Sequence, residues 1–212
     1  MPWIILAIII SYLLGSVPTA YLYGRFFKGL DIRKFGSGNI GATNALRVLG
    51  KKAGITVLFL DILKGFIAVF FLGDFIAPKV IFVSDEVVRI ILGLVCISGH
   101  NWTIFLNFKG GKGVATTFGV LIGLAIRIAG LKIVLILSII TWFTVFIILR
   151  IVSIASVATA LGLPIYAVVF KVPLPVRVLT AILSVLVILR HRANLQRFLQ
   201  GKEPTLRFKK SA

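Results

Sequence analysis

The stretch Leu131-Lys132-Ile133-Val134-Leu135-Ile136-Leu137-Ser138-Ile139-Ile140-Thr141-Trp142-Phe143-Thr144-Val145-Phe146-Ile147-Ile148-Leu149 carries a single charge, Lys132, near its start. A helix needs ~20 predominantly apolar residues to cross ~30 Å of hydrocarbon, so a run of this length and polarity reads as a membrane span. Comparable runs lie on both sides of it, at roughly 2–23, 53–72, 87–106, 114–128, 151–170 and 172–189. Hydrophobic residues make up 59% of the 212 and mean hydropathy is +1.08, well above the range of a soluble domain. The sequence therefore predicts an all-α integral membrane protein of about seven transmembrane helices. It reads as a single polytopic domain over 1–212 with a basic C-terminal tail at about 204–212. Run 114–128 is short and is closed by Arg127, so a tilted or partly inserted helix is expected there.

Lysines and arginines set the orientation. With the N-terminus outside, the inner segments 24–52, 107–113, 150 and 190–212 hold seventeen of the 24, against six at outer positions. That bias predicts an outer N-terminus and a cytoplasmic C-terminus. Asp74, Asp85 and Glu86, half of the six acids, then fall on an outer loop. The first run lacks a basic n-region and a small-residue cleavage site, so it reads as a retained span. The net charge of +18 suits anchoring to anionic lipid or partners that carry phosphate. Nucleic acid is disfavoured, because the basic residues are dispersed in short loops with few aromatics for base stacking. The lone Cys96 excludes an intrachain disulfide, and one Cys with two His is too sparse a ligand set for zinc. Neither metal nor cofactor is implied.

Three inner segments carry polar residues that anchoring alone does not require. The first contains Gly36-Ser37-Gly38-Asn39-Ile40-Gly41-Ala42-Thr43-Asn44-Ala45-Leu46-Arg47. Its glycines permit close backbone approach to a ligand, Ser37, Asn39 and Asn44 offer neutral donors, and Arg47 is a fixed cation. A helix starting near Ile40 would put Asn44 and Arg47 on one face at i, i+3. The second runs from Gly99-His100-Asn101-Trp102 into Phe108-Lys109-Gly110-Gly111-Lys112-Gly113-Val114-Ala115-Thr116-Thr117. In this turn, successive N–H groups freed by the glycines are expected to point at one anion while Lys109 and Lys112 supply charge. A helix opening at Val114 would add a dipole. The third is Arg190-His191-Arg192-Ala193-Asn194-Leu195-Gln196-Arg197 with Gly201-Lys202-Glu203-Pro204. There Arg190, Asn194 and Arg197 follow i, i+4, i+7, and Gly201 and Pro204 end the helix. Taken singly, each segment also reads blandly, as a solvated basic turn, a capped interfacial helix or a basic helix end on anionic lipid. Their recurrence on one side of the membrane predicts a shared pocket for phosphate esters. Within the second run, Asp61 and Lys64 at i, i+3 are expected to pair and brace the inner site, because intramembrane charges are costly alone. Ser16 and Pro18 permit a bend and a hydroxyl contact in the first run.

Carboxylates are scarce in the inner segments, where only Asp31 and Glu203 occur, so metal–carboxylate phosphatase and glycosidase chemistry are disfavoured. Gly113 follows Lys112 where an ATPase P-loop needs Ser or Thr for magnesium. The His-x4-Asp dyad of many glycerolipid acyltransferases is missing, since Phe105 and Gln196 stand at that spacing from the two histidines.

Gly15-Ser16-Val17-Pro18-Thr19-Ala20-Tyr21, the Gly36–Arg47 segment, Gly99-His100 with Phe108–Gly113, and Arg192-Ala193-Asn194 with Arg197 and Gly201-Lys202-Glu203 resemble the bacterial acyl-phosphate:glycerol-3-phosphate acyltransferases, the PlsY family. The resemblance runs nearly end to end, although the outer loop around 74–86 and the tail after Pro204 carry no signature. It implies transfer of a fatty acyl group from acyl phosphate to the 1-hydroxyl of glycerol 3-phosphate, giving lysophosphatidic acid and phosphate. This is the first step of phospholipid synthesis, at the inner face of the bacterial cytoplasmic membrane. It places Ser37, Arg47, Lys112, His191 and Asn194 at the phosphates and reacting centre. Acceptor binding falls to the glycine turn, Gly110, Gly111 and Gly113, with Gly36, Gly38, Asn39, Asn44, His100, Lys109, Thr116 and Arg197 as further binding candidates. Glu203 is given a mainly structural role, beside Asp61, Lys64 and Ser16. The substrates and membrane lipid are the implied partners, and no protein partner is implied. Either His191 or a substrate phosphate oxygen takes the hydroxyl proton, with the substrate preferred. An anion or phosphate-ester transporter is the alternative, and it calls for inverted-repeat symmetry and a midplane site.

Overall fold

The structure is a computed structural model that describes residues 2–206; the end of the basic tail, 207–212, lies outside the described residues. Regular structure among the described residues is entirely helical and forms two compact units, Met1–Ile128 and Ala129–Ala212.

The first unit contains α1 (Pro2–Ser16), α2 (Thr19–Lys28), α3 (Ala42–Val48), α4 (Lys51–Val69), α5 (Phe71–Ile76), α6 (Asp85–Asn101) and α7 (Val114–Arg127). The first apolar run is broken at Val17–Pro18, where proline brings no N–H, and α1 and α2 meet at 46°. Packing is dominated by α1 against α6 and α4 against α7. Both pairs rely on residues without bulk. A Cβ added at Gly15 would lie 1.9 Å from the Cys96 carbonyl oxygen, and one at Gly119 would lie 1.9 Å from that of Ile62. Such backbone contact is how helices gain dispersion energy where lipid removes any hydrophobic drive between them. Hydroxyls add inter-helix bonds: Ser11 Oγ donates to the Leu92 carbonyl (2.6 Å), and Thr103 Oγ1 to that of Ser16 (2.6 Å). At the far end of α6 from Asn101, buried Arg89 donates to the Val69 carbonyl at the break between α4 and α5. It also pairs with Asp74 (2.6 Å), which Arg127 meets from α7 at the same distance.

The second unit contains α8 (Leu131–Leu149), α9 (Val152–Val169), α10 (Leu174–Arg190) and α11 (Arg192–Leu199), with α9 packed on both α8 and α10. Its buried positions include Ser138, Ser153, Ala155 and Ala160, while Ile136, Ile140, Phe143, Ile147, Ile148 and Ile165 are exposed. Large apolar side chains thus face outward as well as filling the core, where Leu163, Leu179 and Leu183 are buried, and small residues between the helices let backbones approach.

Among the described residues, four helices or helix runs are long and apolar enough to cross a membrane, or up to six if each bent pair is one span. The seventh expected run is α7, whose 14 residues reach roughly 21 Å, short of a ~30 Å core.

Candidate active site

The Gly36–Gly41 loop of the first unit is built around one amide. Asn44 is buried; its Oδ1 accepts from Ser37 N–H (3.0 Å), and its Nδ2 donates to the carbonyls of Phe35 (3.1 Å) and Asn39 (2.9 Å). The side chain thus holds the loop that carries Ser37, Gly38 and Asn39, while Arg47, one turn further along α3, is exposed. Gly36 has φ +60°, and a Cβ there would lie 2.3 Å from Asn44 Oδ1, so only glycine lets the loop close on the amide. The helix expected from Ile40 begins at Ala42.

Beneath this loop Ile32, Ile40, Ala45 and Leu49 share an apolar cluster with Leu106, which immediately precedes the lysine–glycine turn. The first and second sequence segments therefore stand on common packing. At the cluster's edge Asp31 caps the short helical turn Ile32–Lys34 and pairs with Arg33 (2.7 Å) and Arg25 (3.6 Å). The Arg33 hydrogen bonds hold the Asp31 carboxyl at about 2, below its ordinary 3.8. A depressed carboxylate stabilises the fold above its unfolded pKa, and that contribution is lost as pH falls through the folded value. The stability advantage of the unmodified chain over Asp31→Asn, followed by thermal unfolding, is expected to be constant above pH 4 and to shrink as pH falls toward 2.

The glycine turn differs from its expected form. Gly110 N–H donates to the Asn101 carbonyl (3.2 Å) and Gly111 N–H to that of His100 (2.9 Å), so two of the N–H groups expected to face an anion are spent on the end of α6. The glycines are required by proximity: a Cβ on Gly110 would lie 2.1 Å from the His100 carbonyl oxygen, and one on Gly111 2.2 Å from His100 Nε2. The turn is laid flat on α6 and feeds half-buried Lys112 into α7, which does open at Val114. Gly113, at φ +75°, provides no side-chain cap, so the first-turn N–H groups of α7 keep their positive polarity. Beside them the buried hydroxyls of Thr116 and Thr117 have no hydrogen-bond partner among the described residues. Asn107 and Phe108 both adopt positive φ, and Phe108 N–H returns to the Thr103 carbonyl (2.8 Å), which sets where Lys109 leaves the loop.

Under the turn lies a buried polar chain. Lys64 Nζ is 2.9 Å from Asp61 Oδ1 and 2.7 Å from His100 Nδ1, and Thr19 Oγ1 donates to Asp61 Oδ1 (2.7 Å). Removing one charge alone would strand the other, at a cost of about 3–5 kcal/mol. Ser16 Oγ donates to the Gly99 carbonyl (3.3 Å).

The third segment belongs to the second unit and is not one continuous helix. The i, i+4, i+7 alignment from Arg190 is interrupted at His191, where α10 and α11 bend by 57°. The backbone leaves helical geometry there, and the His191 ring folds back so that its Nδ1 meets the Val187 carbonyl (2.8 Å). A carbonyl only accepts, so Nδ1 carries a proton, and in the neutral ring Nε2 holds the lone pair. Past the end of α11, Glu203 Oε1 accepts from Asn194 Nδ2 (2.5 Å) and Ser153 Oγ (2.7 Å), and Oε2 from Arg197 Nε (2.9 Å). Burial pushes the Glu203 carboxyl up, but these three donors and the Arg197 charge outweigh it and hold it below the ordinary glutamate range. Ser153 was not singled out from the sequence; a serine opening an apolar run gives no signal of its own. Hollows on this unit, one lined by Phe146, Ile147, Arg150 and Leu206 and one by Pro164, Ile165, Val168 and Val169, contain none of the candidate residues.

The sequence pattern of the family described as glycerol-3-phosphate acyltransferase matches residues 5–201. The chain belongs to that family. It is 40% identical over 207 residues to the glycerol-3-phosphate acyltransferase of Macrococcus caseolyticus, a match that covers 98% of this chain and 99% of the relative. Two crystal structures of PlsY (YgiH), an integral membrane glycerol 3-phosphate acyltransferase, share the fold. The glycerol 3-phosphate form superposes with a TM-score of 0.84 at 36% identity, covering 96% of both chains. The lysophosphatidic acid form gives 0.81 at 35% identity, covering 96% of this chain and 95% of that one. The chain is accordingly an integral membrane protein with the fold of those two structures.

Proposed function

We propose that the protein transfers a fatty acyl group from acyl phosphate to the 1-hydroxyl of glycerol 3-phosphate, releasing lysophosphatidic acid and inorganic phosphate. The observation that carries this reading is the entrance of α7. An uncapped helix N-terminus, Lys112 and the two partnerless threonine hydroxyls form a donor-rich, carboxylate-poor setting for a phosphate dianion. The acceptor phosphate binds there, with Lys109, Thr116 and the Gly110–Gly113 turn around it. Arg47 and Lys112 stabilise the donor phosphate and the tetrahedral oxyanion, while Ser37, Asn194 and backbone N–H groups supply further hydrogen bonds. Glu203 orients Asn194 and Arg197, and Asn44 shapes the loop that presents Ser37, Gly38 and Asn39.

An acyl phosphate is a mixed anhydride and arrives activated, so positioning and charge stabilisation account for most of the catalysis. The acceptor hydroxyl oxygen attacks the acyl carbonyl carbon, the bond from that carbon to the phosphate oxygen breaks, and the hydroxyl proton passes to a substrate phosphate oxygen. His191 Nε2, which bears the lone pair, accepts a hydrogen bond from the attacking hydroxyl and aligns it. About seven membrane helices, the short α7 thinning the bilayer or entering it only in part, an outer N-terminus and a site facing the bacterial cytoplasm complete the reading; a water-soluble acceptor and a lipid-borne acyl chain meet naturally at that interface.

Purified protein in lipid nanodiscs, given radiolabelled glycerol 3-phosphate and either synthetic acyl phosphate or acyl-CoA, tests the donor directly. Lysolipid is expected from acyl phosphate alone. Equal turnover with acyl-CoA would overturn the donor assignment, and uptake of glycerol 3-phosphate into vesicles without any lysolipid would favour a transporter.

A further inference from the structure

We propose that the buried Asp61–Lys64 pair is a positioning device for His100: it fixes the imidazole as the Nε2–H tautomer and aims that N–H at the Gly110–Gly113 turn, where it holds the acceptor phosphate. The inference rests on the reading of that turn as the glycerol 3-phosphate site. An ammonium has three N–H donors and no lone pair. Lys64 Nζ faces three acceptors: Asp61 Oδ1 at 2.9 Å, His100 Nδ1 at 2.7 Å and the Val17 carbonyl at 3.3 Å. Its capacity is filled. Nδ1 of His100 must therefore present its lone pair, and the ring proton resides on Nε2. Asp61 does not compete for Nδ1, since its Oδ1 is 3.6 Å away, beyond hydrogen-bond reach, and is engaged by Lys64 and Thr19.

The opposite edge of the ring fixes the direction. His100 Nε2 lies against Gly111, so closely that a methyl group there would sit 2.2 Å from it, and the His100 carbonyl accepts the Gly111 N–H. The ring is thus clamped between an ammonium on one edge and the turn on the other. A buried ion pair adds little stability over apolar residues of the same volume. What the pair adds here is a one-way hydrogen-bond chain, from the Lys64 ammonium through the imidazole to the turn. His191 is held in the opposite tautomer by Val187, so the chain's two histidines present a donor and an acceptor respectively at Nε2.

With two histidines in the chain, a ¹⁵N-histidine-labelled sample in nanodiscs gives two imidazole spin systems, assigned with His191→Gln. The expected spectrum shows His100 protonated at Nε2 and bare at Nδ1; protonation at Nδ1 in the unmodified protein overturns the proposal whether or not any variant folds. The double variant Asp61→Asn/Lys64→Met removes both charges together and so avoids stranding either. It is expected to lose the single tautomer and to weaken glycerol 3-phosphate binding, followed by ³¹P titration without donor, about tenfold, with kcat changed less. A lost tautomer with unchanged binding overturns the link to the acceptor. A protein that shows the Nε2–H form and binds glycerol 3-phosphate but makes no lysolipid would support the positioning role and sink the acyl-transfer reading instead.

Discussion

Lys112→Met is expected to lower kcat/KM for acyl transfer about a thousandfold, the scale seen when a preorganised donor to a developing oxyanion is removed. The methionine keeps the length and apolar stem of the side chain, so the turn and the start of α7 keep their shape. What disappears is the one charge flanked by Gly111 and Gly113 at an uncapped helix end. Arg47→Ala, at an exposed position of α3, is expected to fall within about tenfold of the same loss. Arg192→Ala, an exposed cation at the start of α11, is expected to change the rate by no more than a few-fold. Phosphate release from acyl phosphate under initial-rate conditions measures all three. Losses of equal size would mean that diffuse membrane charge, and not a built site, was responsible.

Gly111→Ala is expected to cost about a hundredfold in kcat/KM with the helical fold retained. The added methyl lies 2.2 Å from His100 Nε2, and that ring is tied at Nδ1 to Lys64, so the turn must lift from α6. A shift near 1 Å at a group that positions substrate has an effect of that order. Circular dichroism and initial rates on the same preparation separate the two readouts. Activity within a few-fold of the parent would show that the turn does not position substrate.

The membrane character was legible because it depends on summed hydropathy, which needs no tertiary knowledge, and the opening of α7 at Val114 was legible because Gly113 punctuates it. The use of the glycines was not. A sequence cannot say whether a glycine is present for its torsion angles or for what lies against its missing Cβ; at Gly110 and Gly111 it is the latter, and two N–H groups face α6 as a result. The i, i+4, i+7 reading from Arg190 failed because periodicity assumes an unbroken helix, and His191 breaks it with its own ring. Asn44 offered four hydrogen-bonding sites suited to a ligand, yet the backbone of its own loop takes up three of them. Asp61 and Lys64 were visible as a pair through spacing; that His100 completes the chain required the packing of α4 on α6.

The outward placement of large apolar side chains changes the usual rule for reading tolerance to change. On α8 the bulky residues Ile136, Ile140 and Ile147 turn more than half of their surface to a solvent that reads as hydrocarbon, so they are free to drift among aliphatic types. Ser138, Ala155 and Gly119 set the spacing between backbones and leave no such latitude. Over long descent, the modest residues are the ones that should stay put.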